Sequence, residues 1–470
     1  MKRMPASDAT FLYMETSTTP MHVLGVLLLD VSTMSGGPPF DRIKELLEAR
    51  IHLMPAFRRR LVPVPMDLAH PVWIQDPDFD LENHLRRMAV PPPGDLRALA
   101  DAVGQIAGTP LDRTRPLWEM WVMEGITEDR VAVVTKVHHS TMDGTTGADL
   151  MVHLLDLTPE VAPTAPPAEP FAGEARPSDL RLLAGGLLNQ AQAPVRVVRA
   201  MVKTVGQVPG MAGTLFRRGD GGGPTLPFTA PRTRFSGALS RHRSVAFGSS
   251  SLEDLKTIKA AFGGKVNDVV LAMAAHALRG YLSWMGELPD RPLLAGCPIS
   301  VKGEGGERDA ANQISSMLVP LPVHEPDPVR RLELIIQSTA RSKELSRAVG
   351  AEALQDWSDW LAPRLFTLGM RLYSSLRVAN FHPPMQNVIV SNVPGPPIPL
   401  YVAGGRVLAI YPMGPLLPGA GINITILSNM GSVDMGIIAD RDAVPEVWRI
   451  AEGLEEAVRV LLEAAPSTQA

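Results

Sequence analysis

Residues 131–157 place a polar motif, His138-His139-Ser140-Thr141-Met142-Asp143-Gly144, between a predicted strand and a predicted helix. The segment 131–137 is rich in β-branched residues, which is typical of a buried strand. The segment 147–157 carries leucine and methionine at helical spacing. The motif therefore lies on a turn between two rigid elements of an α/β unit, a common location for catalytic side chains.

His139 precedes the Asp143-Gly144 corner by four residues, and this spacing marks it as a candidate base with an organising carboxylate. Histidine suits that role because its ordinary pKa is near neutrality. His138 is also a candidate catalytic residue, but it faces the other way if the strand continues, so we expect it to pack beside the site. Gly144 would allow a close backbone approach or a positive φ. The alternative is an ordinary Asp-Gly turn after a histidine at the end of a strand.

Composition indicates a large globular protein of two or three domains. The chain has 470 residues, is 45% hydrophobic and 20% charged, and has a net charge of −4, which does not suggest a nucleic-acid partner. Its single cysteine, Cys297, excludes an intramolecular disulfide and is expected to be a small core residue. The first 20 residues contain Asp8 and Glu15 and lack an apolar core, so we expect no signal peptide and a cytoplasmic protein.

One uncharged segment, 407–433, is long enough to span a membrane. Its prolines and glycines argue against a continuous helix. They are Pro412, Pro415, Pro418, Gly414, Gly419, Gly421 and Gly431. We interpret the segment as two buried strands joined by a loop.

The pattern of the chain predicts two α/β domains and a linker region between them. Residues 1–157 form the first domain and end with the histidine motif and its helix. Residues 158–233 begin with a stretch rich in proline and alanine, typical of an extended linker, and continue into a basic segment. Residues 234–470 form the second domain, with helices predicted at 251–261, 267–284 and much of 327–377, and a break near Pro363.

The basic segment from Arg181 to Arg243 has a net charge of +9. Within it, valines recur at helical spacing over 195–205, and Arg196, Arg199 and Lys203 form a separate stripe. A basic amphipathic helix can lie on an anionic membrane surface. The alternative is a helix between domains with solvated arginines.

The histidine motif and five collinear blocks resemble the wax ester synthase/diacylglycerol acyltransferase family, bacterial enzymes of neutral lipid synthesis. The resemblance runs nearly from end to end. The blocks are Pro5–Leu12 with Pro20–Val23, Leu111–Trp118, Val266–Val270, Asn312–Ser315 and Ser391–Pro396. One departure is Ala311, where the family would have glycine.

The resemblance implies two chloramphenicol acetyltransferase-like domains, each a mixed β-sheet with helices, and an active site in a channel between them. It implies transfer of a long acyl chain from acyl-CoA, as a substrate and without a cofactor or metal, to diacylglycerol or a fatty alcohol. Diacylglycerol is the favoured acceptor. It also implies peripheral association with the inner membrane or with lipid droplets.

Ester formation needs a base for the attacking hydroxyl, donors for the negative oxygen of the intermediate, and exclusion of water. We expect His139 to be the base and Asp143 to hold the corner, through Arg113 or Arg115. The resemblance points to Asn267 as the donor to the oxyanion, although it could instead cap the following helix. It places Asn312, Asn392 and Arg115 among the groups that bind substrate.

The sequence lacks the motifs of several other enzyme classes. The sequence has no Gly-x-Ser-x-Gly nucleophile elbow, no phosphate-binding Gly-x-x-x-x-Gly-Lys loop, and no Cys-x-x-Cys or His-Glu-x-x-His metal motif. Two alternatives remain open. One is a condensation-type enzyme that takes its acyl group from a carrier protein, and the other is a non-catalytic protein of lipid droplets or membranes.

Overall fold

A computed structural model describes residues 1–142, 146–187, 228–300, 314–349 and 363–466. The strands are β1 (Lys2–Arg3), β2 (His22–Asp30), β3 (Arg59–Val62), β4 (Val72–Gln75), β5 (Leu85–Ala89), β6 (Trp118–Ile126), β7 (Arg130–His138), β8 (Arg243–Ser251), β9 (Leu293–Ser300), β10 (Ile314–Leu321), β11 (Val388–Val393), β12 (Tyr401–Val402), β13 (Gly405–Met413), β14 (Ile422–Asn429) and β15 (Ser432–Asp440). The helices are α1 (Ala6–Met14), α2 (Pro39–Arg50), α3 (Leu96–Gly108), α4 (Thr146–Leu154), α5 (Leu252–Phe262), α6 (Val266–Trp284), α7 (Pro328–Val349), α8 (Pro363–Ser375) and α9 (Trp448–Glu463).

The histidine motif follows a central strand of a six-stranded mixed sheet. The strand order is β12-β13-β2-β7-β6-β5, with β5 and β6 parallel and the other pairs antiparallel. The stretch 131–134 of β7 is apolar, and both of its faces are covered. Val133 lies in the core on one face, and Val134 lies in the core on the other.

The first large sheet also contains strands from beyond residues 1–157. β12 and β13, from the C-terminal part of the chain, pair with each other, and β13 pairs with β2 from Met413↔Leu24 to Arg406↔Asp30. The first sheet thus contains strands from residues 1–157 and from residues 234–470. The two predicted strands within 407–433 are confirmed, but they belong to different sheets, since β13 completes the first and β14 lies in the second. Without β13, the apolar strand β2 would be an exposed edge.

The second six-stranded sheet has the order β10-β9-β11-β14-β15-β8, and it is also mixed. A third, small sheet has the order β1-β4-β3. The fold class is confirmed as α/β with two mixed sheets and their helices. The predicted helices at 251–261 and 267–284 correspond to α5 and α6. The break predicted near Pro363 borders residues 350–362, which are not among the described residues, so it stays a prediction. The helix predicted at 147–157 ends earlier, at Leu154.

The two large sheets share an apolar layer, which includes Leu24, Val26 and Leu28 of β2, Val245 and Phe247 of β8, and Ile438 of β15. The rings of Phe247 and Tyr411 stack with their centroids 4.6 Å apart. The buried carboxylate of Asp434 on β15 accepts a hydrogen bond from the Ile410 N–H on β13 at 2.9 Å. A side chain at Gly436 would place its Cβ only 2.1 Å from the Pro412 carbonyl oxygen, so the close approach of these strands requires glycine.

Cys297 is buried in the core of the second sheet, as predicted, and burial raises the pKa of its thiol to about 12. None of the helices in the described ranges is both long enough and apolar enough to cross a membrane. The predicted basic helix at 195–205 lies outside the described residues.

Candidate active site

His139 lies immediately after the end of β7, in a turn held by backbone hydrogen bonds. Its N–H donates to the Met21 carbonyl oxygen at 2.8 Å, and its own carbonyl oxygen accepts from the Met142 N–H at 3.2 Å. On the preceding residue, the His138 carbonyl oxygen accepts from the Thr141 N–H at 2.9 Å. The backbone on both sides of the candidate base is therefore fixed by the sheet and the turn.

The imidazole ring of His139 stacks on the ring of Phe11 in α1. The ring centroids are 3.8 Å apart and the planes are inclined by 16°. The ring is half-buried, its Nδ1 atom is enclosed, and Nδ1 has no hydrogen-bond partner among the described residues. Desolvation by burial lowers the pKa of His139 to about 4. The ring is therefore neutral at pH 7, which is the form that a general base requires.

His138 is fully buried and makes hydrogen bonds at both ring nitrogens. Its Nδ1 lies 3.1 Å from the Ser140 N–H, which can only donate, so Nδ1 accepts and the proton sits on Nε2. Nε2 then donates to Glu15 Oε2 at 2.9 Å. Burial lowers the pKa of His138, although the carboxylate of Glu15 opposes this shift. His138 thus faces away from His139 and packs beside the site.

Glu15 follows α1 and is the carboxylate that the structure places next to the motif. Its Oε1 accepts from Arg113 Nη2 at 2.9 Å and from Arg113 Nε at 3.2 Å. Its Oε2 accepts from the Met21 N–H at 3.2 Å as well as from His138. Burial alone would raise the pKa of Glu15, but the hydrogen bond and charge of His138, together with Arg113 and Met21, lower it to about 2.

Several predicted site residues lie elsewhere or outside the described part of the chain. Asp143, Gly144 and Asn312 are not among the described residues, so their roles stay predictions. Arg113 was expected to hold Asp143, but the partners that the structure shows for it are Glu15 and the Leu12 carbonyl oxygen. Arg115 is exposed and donates to Asn83 Oδ1 at 2.7 Å.

Asn267 does not cap α6. The residue before the helix is Lys265, and its N–H donates to the side chain of Asp268 at 2.8 Å, so Asp268 provides the cap. Asn267 lies in the first turn and is half-buried. Asn392 is exposed at the end of β11. Among the described residues, no hydrogen bond or ring contact joins Asn267, Asn392 or Arg115 to His139.

Three residues contact the motif without having been predicted to do so from the sequence: Phe11, Glu15 and Met21. The first two come from α1 and the residue that follows it, more than 120 positions before His139, and no local pattern distinguishes them. The available signal was their position within and between the two parts of the first block, 5–12 and 20–23. In the described ranges, no group of three or more histidine, cysteine, aspartate or glutamate side chains could hold a metal ion.

Two mixed sheets with helices, and a histidine-bearing turn at the end of a central strand, define the chloramphenicol acetyltransferase-like class of acyltransferases. Two sequence profiles match the chain. The wax ester synthase/diacylglycerol acyltransferase catalytic domain matches residues 4–270, and the C-terminal domain of the same family matches residues 310–461. The chain belongs to the wax ester synthase/diacylglycerol acyltransferase family.

Relatives and solved structures agree with this membership. A protein of Mycobacterium tuberculosis strain CDC 1551, named as a diacylglycerol O-acyltransferase, is 41% identical over 98% of this chain and 90% of its own. Another, from strain H37Rv and named likewise, is 33% identical over 99% of each chain. The wax ester synthase/diacylglycerol acyltransferase of Marinobacter aquaeolei VT8 superposes with a TM-score of 0.70 at 27% identity, covering 99% of this chain and 100% of that one.

More distant structures share the fold. The first condensation domain of the calcium-dependent antibiotic synthetase has a TM-score of 0.55 at 16% identity, covering 100% of this chain and 97% of that domain. At this identity the likeness concerns the architecture alone.

Proposed function

We propose that the protein transfers a long-chain acyl group from acyl-CoA to the hydroxyl group of diacylglycerol to form triacylglycerol, and that it also accepts long-chain alcohols to form wax esters. The observation that carries the proposal is the neutral, half-buried imidazole of His139, held on Phe11 at the end of β7. Diacylglycerol is the favoured acceptor because relatives that match nearly the whole chain are named as diacylglycerol O-acyltransferases.

The chemistry follows from a neutral imidazole in a site shielded from water. Because Nδ1 is enclosed, we infer that Nε2 meets the acceptor and removes the proton from its hydroxyl group. The oxygen then attacks the thioester carbonyl directly and forms a tetrahedral intermediate. Collapse breaks the C–S bond, and His139 returns the proton to the departing CoA thiolate. No acyl-enzyme and no cofactor are needed, since acyl-CoA enters as a substrate.

The remaining site roles are part of the same proposal. Asn267 has a half-buried amide that is not used as a helix cap, which leaves it able to donate to the oxyanion. Asp143 and Gly144 shape the corner after His139. Asn312, Asn392 and Arg115 bind substrate.

We also propose that α8 and the segment after it lie against an anionic lipid surface. Leu368, Leu372 and Leu376 repeat every four residues and are 52%, 49% and 65% exposed, and the nearby Phe381 is 79% exposed. The segment 363–385 contains three arginines and no acidic residue. Exposed apolar side chains beside arginines suit insertion between acidic lipid headgroups.

This surface is connected to the candidate base through α1. Ser374 Oγ lies 3.1 Å from Thr18 Oγ1, and the rings of Tyr13 and Phe366 meet edge to face with centroids 6.3 Å apart. Tyr13 is on the helix that carries Phe11, on which His139 stacks. The proposed lipid-facing helix α8 and the candidate base therefore both contact α1.

The activity is tested with purified wild type and His139→Ala, each given labelled long-chain acyl-CoA with diacylglycerol or with a fatty alcohol. Loss of a general base lowers the rate by about 10²- to 10⁴-fold, so ester should form with wild type and nearly vanish with the variant. Equal ester from both proteins would exclude His139 as the base. No ester with either acceptor would favour a carrier-bound acyl donor, or a binding role without catalysis.

A further inference from the structure

A single carboxylate, that of Glu15, is tied to the backbone on both sides of His139. Oε2 accepts from the Met21 N–H, and the Met21 carbonyl oxygen accepts from the His139 N–H. Oε2 also accepts from His138 Nε2, and Nδ1 of the same ring accepts from the Ser140 N–H. The peptide groups before and after His139 are therefore each linked to Glu15 through one intervening residue, Met21 on one side and His138 on the other.

Glu15 is also connected to the helix α1, which carries the Phe11 ring on which His139 stacks. Its N–H donates to the Phe11 carbonyl oxygen at 3.2 Å, which closes the last turn of α1. Its second oxygen is held by two nitrogens of Arg113, and that guanidinium also donates to the Leu12 carbonyl oxygen at 3.0 Å. The carboxylate thus fixes the end of α1, and with it the Phe11 ring, relative to the histidine turn.

We propose that Glu15 is a positioning residue for acyl transfer, which orients the His139 ring through His138, Met21 and the end of α1. The proposal rests on the proposed role of His139 as the general base. Glu15 itself does not touch the reacting atoms. Its contribution is geometric, because displacement of a catalytic group by about 1 Å can cost about 100-fold in rate.

Glutamine at position 15 should not be able to perform the positioning role of Glu15. A carboxylate accepts hydrogen bonds at both oxygens, and all four groups around Glu15 donate: two nitrogens of Arg113, the Met21 N–H and His138 Nε2. A glutamine amide has one accepting oxygen and one donating nitrogen, so one pair of donors would face another donor. Aspartate retains the acceptors and the charge, but its side chain is shorter by one methylene group.

The kinetic test compares wild type, Glu15→Gln, Glu15→Asp and the control Glu124→Gln. Glu124 is also a carboxylate paired with an arginine, Arg87, but it lies toward the end of β6 that is away from the histidine turn. We expect Glu15→Gln to lower kcat by about 10- to 100-fold while the KM for acyl-CoA changes less than about twofold. Glu15→Asp should regain part of the rate, and Glu124→Gln should match wild type.

A double variant separates positioning from a general loss of stability. If Glu15 acts only through His139, then Glu15→Gln/His139→Ala should be no slower than His139→Ala alone. Rates are taken per folded molecule, with the folded fraction measured by circular dichroism. If Glu15→Gln does not fold, the same comparison is made with Glu15→Asp. Additive losses in the double variant, or an unchanged kcat in Glu15→Gln, would overturn the proposal.

Nuclear magnetic resonance of ¹⁵N-labelled histidine gives an answer independent of turnover. The His138 and His139 signals are assigned from their loss in His138→Gln and His139→Ala. Wild type should show the Nε2-protonated form of His138, and Glu15→Gln should shift the signals of both histidines, whereas Glu124→Gln should shift neither. If wild type makes no ester, the proposed function fails, and this comparison still decides whether Glu15 positions His139. Unchanged His139 signals in Glu15→Gln would show that it does not.

Discussion

The imidazole ring of His139 lies flat against the ring of Phe11, with the ring centroids 3.8 Å apart. The two residues are 128 positions apart in the sequence, and their contact joins the end of β7 to α1. The phenyl ring covers one face of the imidazole and excludes water from it. This cover contributes to the low pKa of His139, because desolvation disfavours the charged form.

Replacing Phe11 should therefore alter both the rate and the pKa of the base. We expect Phe11→Ala to lower kcat by about tenfold, since the ring of His139 loses its support, and to raise the pKa of His139 toward its ordinary value. The measurement is kcat/KM across pH. Phe79→Ala is the matched control, because Phe79 stacks on a different histidine, His84, in the same part of the fold. An unchanged pH profile for Phe11→Ala would contradict the assignment.

The pH dependence of the wild-type enzyme follows from the pKa of about 4 for His139. If His139 is the base, as proposed, it acts in its neutral form, so activity is lost only as the pH falls through that value. We expect kcat/KM to stay nearly constant from about pH 8 to about pH 6 and to fall below about pH 5. Circular dichroism at each pH controls for unfolding. A half-loss of activity near pH 6.5 in folded protein would show that His139 titrates as an exposed histidine does.

Acid should also weaken the folded state through His22, which pairs with His138 across β2 and β7. His22 is buried, its Nε2 donates to the Ala107 carbonyl oxygen, and burial lowers its pKa to about 3. The unfolded chain takes up this proton near pH 6.5 and the folded protein does not. The contribution of His22 to stability is therefore complete above about pH 6.5 and declines by about 1.4 kcal/mol per pH unit as the pH falls toward the folded value.

Urea denaturation at several pH values measures this effect. His22→Gln, which retains a donor for the Ala107 carbonyl oxygen, should show a shallower decline between pH 6.5 and pH 5 than wild type. His324→Gln serves as the control, because the side chain of His324 is exposed. Parallel curves for His22→Gln and wild type would mean that His22 is protonated within the fold.

The leucine row of α8 predicts a binding defect in a surface variant. Leu368→Ser/Leu372→Ser should weaken binding to vesicles that contain phosphatidylglycerol by at least about tenfold. The reason is that binding of the variant no longer moves two apolar side chains from water into the membrane. Sedimentation with vesicles measures this, and binding of wild type should fall at high salt. Leu53→Ser/Leu157→Ser changes two exposed leucines elsewhere and should bind like wild type. Equal binding by all three proteins would exclude this surface.

Local patterns in the sequence were sufficient for many single elements and insufficient for the contacts between distant ones. The apolar run before the motif became β7, and the helical spacing at 267–284 became α6, because both signals are set by neighbouring residues. The pairing of β13 with β2 was not predicted, since it joins residues 376 to 389 positions apart and leaves no trace in either segment.

The candidate site shows the same division. The position of His139 after a strand could be read from its neighbours, whereas its stacking partner and the carboxylate at Glu15 depend on how α1 packs against the motif. Asn267 was expected either to cap α6 or to serve in catalysis. In the structure, the side chain of Asp268 caps the helix instead. That choice depends on where the first helical turn begins, which sequence patterns locate only to within a few residues.

The return of β13 to the first sheet affects how the chain is completed during synthesis. The strand that carries the histidine motif is made early, but its neighbour β2 gains its second partner only after residue 413 has been synthesised. Until then, β2 presents unpaired backbone groups, which can recruit other nascent chains. A ribosome-bound intermediate that ends before β13 would thus carry the complete motif on an unfinished sheet. The proposed acyl-transfer site around His139 should therefore be complete only near the end of translation, and a separately supplied C-terminal fragment containing β13 should restore it in trans.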